Sequence, residues 1–378
     1  MQIQNLNDRS LQSKWYPQLQ LQANYITKSE STELDLGETP FSLTMPEQDK
    51  SSYELSLDLQ QLLYDGGIVS KRRKLADLGT QISILEVQAG ILQRRVLITS
   101  LYYQMLLAQR QQEILALHKA NLAAELRKVE AGINAGVLDK TSSLLIQDQL
   151  LQLASETFKI DYLYKECQEK LSTLTALEFS DDERLEIYDA ELFMPAEIAR
   201  PELEILKKRK EMELSQTRLS GSGMLPQLTA NAAYTWGNPG YDIFSEDAHS
   251  YYRAGINLHW QVWDWQSNKR TRTQHQKQAK ALENNYSVQM QAIELAVIEK
   301  DIQIERLSEN LIIQSERQAL LCQITASYAA KLEEGIISAE DFLQQFNKQK
   351  EIELEQSAVE LEISFQKLLR LFLMGGEL

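Results

Sequence analysis

The amino-acid sequence predicts an α+β protein that is mainly helical and is built from two copies of one unit. Three observations predict this fold class. A motif near the start returns in the second half, four short segments alternate between apolar and polar residues, and the long stretches between them favour helix. Each copy reads as strand, loop, strand, long helix, glycine-containing turn and long helix. We therefore expect a tandem duplication.

The duplication is visible in three pairs of segments. PQLQLQANY at 17–25 returns 209 residues later as PQLTANAAY. LYDGG and VWDWQ align on Asp65 and Asp264, and AGVLDKTSSLL from Ala135 aligns with EGIISAEDFLQ from Glu334, both at an offset of 199 residues. The sequence therefore predicts a first repeat over residues 1–200 and a second over residues 201–378.

Each repeat divides into predicted elements. The first contains a strand hairpin at 14–65, helices at 66–131 and 139–174, and an outer subdomain at about 176–200 that loses periodicity and carries no recognisable chemistry. The second contains a helix at 201–220, a strand hairpin at 224–264, and helices at 266–333 and 339–372. The acidic segment 28–50 is predicted to be an exposed extracellular loop.

The four strands alternate with a period of two. In the first, Leu19, Leu21, Ala23 and Tyr25 alternate with Gln and Asn residues. Each strand has about ten residues, enough for a tilted strand to cross a bilayer, and aromatic residues gather at the strand ends; they are Trp15, Tyr16, Tyr25, Trp236, Tyr252, Trp263 and Trp265. A soluble antiparallel sheet with one solvent-exposed face would give the same alternation of apolar and polar residues. Amide-rich polar faces and the length of the flanking helices favour a membrane barrel.

Four strands cannot close a barrel, so several protomers must share one, because unpaired backbone groups are costly in lipid. The helices carry stripes at spacings of three and four, and 66–131 reads as a nearly continuous helix on the order of 100 Å long. One stripe is Leu75, Leu78, Ile82, Leu85, Ala89, Leu92 and Val96, and the other is Ala279, Leu282, Tyr286, Met290, Ile293 and Val297. Such stripes are typical of supercoiled helices, and a cytosolic coiled coil would show them equally.

Composition excludes several function classes. The formal charge of −15 argues against a surface for nucleic acid or for anionic lipid, since both need clustered Lys and Arg. Cys167 and Cys322 lie far apart without metal-ligand spacing, and the four histidines are scattered, so we expect no metal, no cofactor and no catalytic residue. No segment approaches the ~18 to 20 apolar residues of a transmembrane helix.

The chain resembles the TolC family of outer-membrane efflux proteins over essentially its whole length. The resemblance is carried by the duplication, YPQLQLQANY, LPQLTANAAY, LLYDGG, ARPEL at 199–203 and EGIISAEDFL, in this order and spacing. It implies a homotrimer in the outer membrane, in which each protomer gives four strands to a twelve-stranded barrel and long helices to a periplasmic tunnel. It also leads us to expect that most of a first helix and a signal peptide are missing from the start of this sequence.

The resemblance further implies a passive exit duct of a tripartite efflux or type I secretion system. Its partners would be outer-membrane lipid, a periplasmic adaptor and an inner-membrane transporter. A soluble coiled-coil scaffold that docks partners through its hairpins is the alternative function.

Two kinds of site are implied by the same resemblance. A pore constriction is expected six and nine residues after the turn glycine of the second repeat, at Asp341 and Gln344, with Glu340 as a second carboxylate. Three copies of Asp341 would concentrate cations, although an acid in the first turn of a helix needs no pore. The adaptor-docking tips are expected at the turns; they are Gly136, Val137, Leu138, Asp139, Gly335, Ile336, Ile337 and Ser338.

Overall fold

The computed structural model describes residues 9–30, 50–179, 184–187, 197–238 and 247–376, together with Leu6, Pro195 and Gly240. Within these residues the chain forms four strands and five long helices. The strands are β1 (Gln18–Thr27), β2 (Ser51–Tyr64), β3 (Gln227–Asn238) and β4 (His249–His259), and the helices are α1 (Ile68–Asn134), α2 (Lys140–Thr175), α3 (Pro201–Ser222), α4 (Ser267–Glu333) and α5 (Ala339–Met374). A short 3₁₀ turn, Ser13–Trp15, precedes β1.

The order of elements agrees with the sequence prediction, and the boundaries differ by up to five residues. Strand β4 ends at His259, whereas the hairpin was expected to run to residue 264. His259 pairs with Gln227, the first residue of β3, and Pro226 before it has no N–H to extend the ladder. Helix α1 continues to Asn134, three residues beyond its predicted end. Most of the acidic loop 28–50 lies outside the described residues.

The four strands form one antiparallel sheet in the order β1-β2-β3-β4. Strands β2 and β3 come from different repeats and pair over most of their length, from Tyr53 opposite Asn238 to Tyr64 opposite Leu228. The sheet therefore joins the two repeats. Within the described chain β1 and β4 each have one unpaired edge.

The two central strands show a polarity that is the reverse of that in a soluble protein. The buried positions of β2 and β3 hold small or polar residues, Ser56 being 6% and Thr235 1% exposed, whereas β1 and β4 are exposed almost throughout in the single chain. The apolar neighbours of the buried residues point the other way, and Leu57 is 42% and Tyr234 55% exposed. A soluble sheet would bury the apolar face instead, so this exposed face is suited to lipid.

The junctions from strand to helix repeat one arrangement. The carboxylate of Asp65 accepts hydrogen bonds from the N–H groups of Gly67 and Val69, at 2.8 and 2.5 Å. That of Asp264 accepts one from the N–H of Asn268 at 2.7 Å. These two aspartates are the residues on which the repeats align, so their sequence match reflects a shared role at the start of α1 and α4.

The chain forms two compact units, each drawn from both repeats. The first comprises residues 1–85 and 204–286 and holds the sheet, and the second comprises residues 86–203 and 287–378. In the second unit, side chains from α1, α2, α5 and the end of α4 make two apolar clusters, around Met105 and Leu371 and around Leu122 and Phe342. The stripe predicted on α1 is largely buried.

Part of the predicted outer subdomain is described. Leu185 and Glu186 lie against α1, where the Leu185 N–H donates to Gln109 and the Tyr102 hydroxyl bonds the Glu186 carbonyl at 2.7 Å. Residues 180–183 and 188–194 lie outside the described residues. Among the helices that the structure describes, none is long and apolar enough to cross a membrane.

Candidate pore entrance and docking tips

The two helix turns expected to form the docking tips have the same backbone geometry. Two residues beyond the end of α1, Gly136 has φ +78°, and two residues beyond the end of α4, Gly335 has φ +70°. The N–H of Gly136 bonds the Ile133 carbonyl and the N–H of Val137 bonds the Gly132 carbonyl, both at 2.9 Å. The second repeat makes the equivalent pair of bonds after α4. Both turns are Schellman motifs, in which glycine takes the left-handed conformation without steric cost.

The two tips lie side by side in the second unit. A Cβ atom built on Gly335 would lie 3.2 Å from Cγ1 of Val137. Leu138 and Ile337 are half-buried against the cluster around Leu122 and Phe342. The equivalent neighbours Val137 and Ile336 are 56% and 64% exposed. The structure thus divides the predicted docking residues into an apolar pair that holds the turns together and an apolar pair open to a partner.

Asp341 is part of the start of α5. Its backbone N–H donates to the Ser338 hydroxyl at 3.1 Å, and its carboxylate accepts from the Ser338 N–H at 3.2 Å and from the Ser338 hydroxyl at 2.6 Å. This reciprocal arrangement is a capping box. Asp341 therefore has a structural role in the single chain, and a role in a pore must be compatible with this contact.

The other predicted constriction residues are exposed on the same helix. Gln344 lies three residues after Asp341, so the two share one face of α5, while Glu340 lies on a neighbouring face. Phe342 and Leu343 are buried between them. The turn thus presents one carboxylate and one amide on a common exposed face.

A buried polar layer above the tips was not foreseen from the sequence. Leu115, His118, Leu122, Glu125 and Val129 follow one another at spacings of three and four on α1, and all five are buried. His118 and Glu125 thus occupy two positions of an otherwise apolar stripe. This pattern can be read from the spacing of residues in the sequence. His118 is 2% exposed, and its ring lies edge-on to Phe346 with centroids 5.1 Å apart.

His118 joins α1 to α5 through Glu353. Its Nε2 lies 2.7 Å from Oε2 of Glu353, whose other oxygen accepts a hydrogen bond from Gln349 at 2.9 Å. Burial by itself raises the pKa of Glu353, but the hydrogen bonds from His118 and Gln349 outweigh burial, and the pKa lies below its ordinary value. The ionised carboxylate is therefore the form that the fold stabilises.

This shift predicts acid-labile packing in the second unit. A carboxylate with a depressed folded pKa stabilises the fold above its unfolded pKa of about 4.3, and this contribution is lost as the pH falls through the folded value. We expect thermal unfolding, followed by circular dichroism, to shift to lower temperature below about pH 4.5, and Glu353→Gln to weaken this dependence. Glu351→Gln, an exposed neighbour, is the control. Equal acid sensitivity in both variants would contradict the assignment.

A second polar contact joins α2 to α5 closer to the tips. Nζ of Lys350 lies 2.9 and 2.7 Å from the two carboxylate oxygens of Glu156, and the lysine side chain is almost fully buried. One layer nearer the turn, Asn347 donates to Gln149 at 3.1 Å. These contacts fix the position of α5, and with it the direction in which Asp341 and Gln344 point.

A sheet with an exposed apolar face, followed by long paired helices that end in small turns, defines the class of outer-membrane channel subunits. The family model of outer membrane efflux proteins matches residues 7–177 and 195–371, so the chain belongs to that family. The two matched ranges correspond to the two repeats. Among curated protein sequences, none matches the chain significantly.

Solved channel structures share this fold along the whole chain. The outer-membrane channel OprN has a TM-score of 0.73 at 14% identity, covering 100% of this chain and 85% of that one. VceC from Vibrio cholerae has a TM-score of 0.74 at 14% identity, covering 99% and 90%. The open state of MtrE from Neisseria gonorrhoeae has a TM-score of 0.69 at 13% identity, covering 99% and 83%.

The family and the shared fold confirm the TolC-like architecture and the location in the outer membrane with helices in the periplasm. The soluble coiled-coil scaffold is not supported, because the chain belongs to a family of outer-membrane efflux proteins.

Proposed function

We propose that three copies of this chain form the exit duct of a tripartite efflux or type I secretion system. The observation that carries the proposal is the sheet, which has an exposed apolar face and unpaired edges at β1 and β4. In lipid those edges need partners. Pairing β4 of one copy with β1 of the next satisfies both edges, and three copies give twelve strands.

Exposed apolar residues on the helices support contacts between copies. On α2, Leu144, Leu151 and Phe158 are spaced by seven residues and are all exposed in the single chain. On α4, Val288, Leu295 and Ile302 have the same spacing and exposure. Stripes at heptad spacing pack as knobs into holes of a neighbouring helix. The copies in the trimer would therefore touch along the helices as well as through the strands.

The tips would be the place where a periplasmic adaptor connects the duct to an inner-membrane transporter. Val137 and Ile336 are apolar and exposed, and Val137 lies against Gly335, the residue before Ile336. Such a pair offers an anchor for the apolar face of a partner helix. Energy for transport would come from the inner-membrane partner, and the duct would be passive.

The pore constriction would be formed by Asp341, with Gln344 on the same face and Glu340 beside it. Three carboxylates held at the narrow end of a duct attract cations and repel anions. Both donors to the Asp341 carboxylate are uncharged groups of Ser338, so the capping box brings no positive charge to the constriction.

Single-channel conductance in planar bilayers tests this function. The detergent-extracted protein is expected to insert as a small, stable, cation-preferring pore. Asp341→Ala is expected to raise the conductance severalfold and to weaken the cation preference, because a ring of charged side chains is replaced by methyl groups.

Ser338→Ala is the matched control for that experiment. It removes the same capping box, which lowers the stability of the helix by about 1 kcal/mol, but it keeps the carboxylate of Asp341. If both variants change the conductance equally, the effect arises from the loosened helix and the gate assignment is wrong. If the unmodified protein does not insert into the bilayer at all, the proposal that it forms an exit duct is wrong.

A further inference from the structure

Charge in the sheet is confined to one face. Among the residues of the four strands, Glu54, Asp58 and Arg253 are the only ones of type Asp, Glu, Lys or Arg. All three occupy the positions that alternate with the exposed apolar residues, such as Leu57 beside Asp58 and Tyr252 beside Arg253. Because the apolar face is suited to lipid, the charged face is the one that lines the interior of a barrel.

Two of these charges lie in one row across the strands. Asp58 is opposite Ala233, and Ala233 is opposite Arg253, whereas Glu54 lies in another row, opposite Gly237. Asp58 and Arg253 are thus two strand spacings apart, or about 10 Å. In the part of the chain that the structure describes, no ion pair joins them. The row therefore presents one negative and one positive charge separately.

Each charge is held by the residue two positions before it on its own strand. The Ser56 hydroxyl donates a hydrogen bond to Oδ2 of Asp58 at 2.7 Å. The guanidinium of Arg253 lies over the ring of Tyr251, 5.9 Å from its centroid. Ser56 and Tyr251 are both opposite Thr235, in the neighbouring row. These partners are uncharged, so they direct the two side chains along the same face without neutralising them.

The trimer would repeat this pair around the barrel. The strand order is β1-β2-β3-β4, and the proposed closure places β1 of the next copy beside β4. Counting around twelve strands, an Asp58 on β2 is followed two strands later by an Arg253 on β4, and two strands after that by the Asp58 of the next copy. Six charges of alternating sign are therefore spaced evenly around the circumference, whatever the register between copies. Strand tilt offsets the two kinds of charge by about 6 Å along the barrel axis.

We propose that Asp58 and Arg253 form a belt of alternating charge inside the barrel, which binds zwitterionic cargo on its way out. A molecule of one net charge meets an attractive and a repulsive neighbour in turn, whatever its sign. A molecule with a positive and a negative group about 10 Å apart contacts both kinds of charge favourably at once. The belt rests on the proposed duct and gives it a substrate class, and it is independent of the gate at Asp341.

Ion selectivity in planar bilayers tests whether the belt faces the pore. Reversal potentials are measured in a KCl gradient at low ionic strength, both in the unmodified protein and in Asp341→Ala, which lacks the charge of the entrance. Asp58→Asn is expected to lower the cation-to-anion permeability ratio about twofold, and Arg253→Gln to raise it about twofold, which is the effect of one unit charge on an ion about 10 Å away in water. Gln60→Ala, an uncharged change on the same face of β2, is the control and is expected to leave the ratio unchanged.

A zwitterionic peptide tests the substrate class. The probe is the tetrapeptide Lys-Ala-Ala-Glu with blocked termini, whose charged residues are about 10 Å apart in an extended chain, and Gln-Ala-Ala-Gln is its uncharged counterpart. The charged peptide is expected to reduce the single-channel conductance more than its counterpart does. In Asp58→Asn/Arg253→Gln this difference is expected to disappear.

Several outcomes would overturn the belt while leaving the duct intact. They are unchanged permeability ratios in both single variants, equal effects of the two peptides on the unmodified protein, and a difference between the peptides that persists in the double variant. Loss of heat-resistant oligomer in the single variants, with unchanged ratios in the channels that remain, would assign the two residues to the stability of the sheet instead. If the unmodified protein does not insert into the bilayer, the duct and the belt are both wrong.

Discussion

Replacing Gly237 with alanine is expected to separate β2 from β3 and to prevent assembly of the channel. A Cβ atom at this position would lie 2.3 Å from the carbonyl oxygen of Tyr53 and 3.1 Å from Cα of Glu54. Both are backbone atoms, so no side-chain rotation can relieve the contact. The expected cost is about 3 kcal/mol. This destabilisation affects the pairing of β2 with β3, which joins the two repeats.

Gly255→Ala is the control for that substitution. Gly255 lies in the neighbouring strand β4, and its added Cβ would come no nearer than 3.6 Å to any atom, the closest being Oδ1 of Asn231. The measurement is the yield of heat-resistant oligomer in mild detergent. We expect the yield to fall sharply for Gly237→Ala and to stay normal for Gly255→Ala. Equal yields would show that the sheet tolerates a wider separation of β2 and β3.

The second large effect is expected from Glu156→Ala. This change leaves the ammonium group of Lys350 buried without its carboxylate. Breaking a buried ion pair by removing one partner costs about 3 kcal/mol or more, and because Glu156 is partly exposed we expect about 2 to 3 kcal/mol here. Thermal unfolding followed by circular dichroism is the measurement, with a shift of several degrees to lower temperature.

Two further variants isolate the ion pair. Glu169→Ala removes an exposed carboxylate from the same helix and is expected to have little effect. Glu156→Ala/Lys350→Met removes both charges and is expected to recover most of the stability, since methionine fills the space without needing a partner. A double variant as unstable as the single one would show that the contact acts through packing alone.

The ion pair and the His118–Glu353 contact have a common consequence for the entrance. Both hold α5, one against α2 and the other against α1. The constriction residues lie on the first turns of the same helix. Loosening either contact is therefore expected to broaden the distribution of single-channel conductances, even though neither contact involves Asp341.

The sequence by itself determined the duplication, the order of elements and the two faces of each strand. Local chemistry carries these features: the period of two, the stripes at spacings of three and four, and glycine at turns that require positive φ. The alignment of Asp65 with Asp264 also predicted that these two residues occupy equivalent positions, which are the junctions before α1 and α4. The boundary of β4 was missed because it depends on where its partner strand begins.

The tertiary structure decided which face of each element is covered. Alternation on β2 separates Ser56 from Leu57 but does not tell which of the two is buried, because burial depends on residues far away in the chain. The same limit applies at the tips, where Val137 and Leu138 are both apolar and only packing against α5 separates them. The role of Asp341 in its capping box likewise follows from the backbone conformation at Ser338, which no spacing rule specifies.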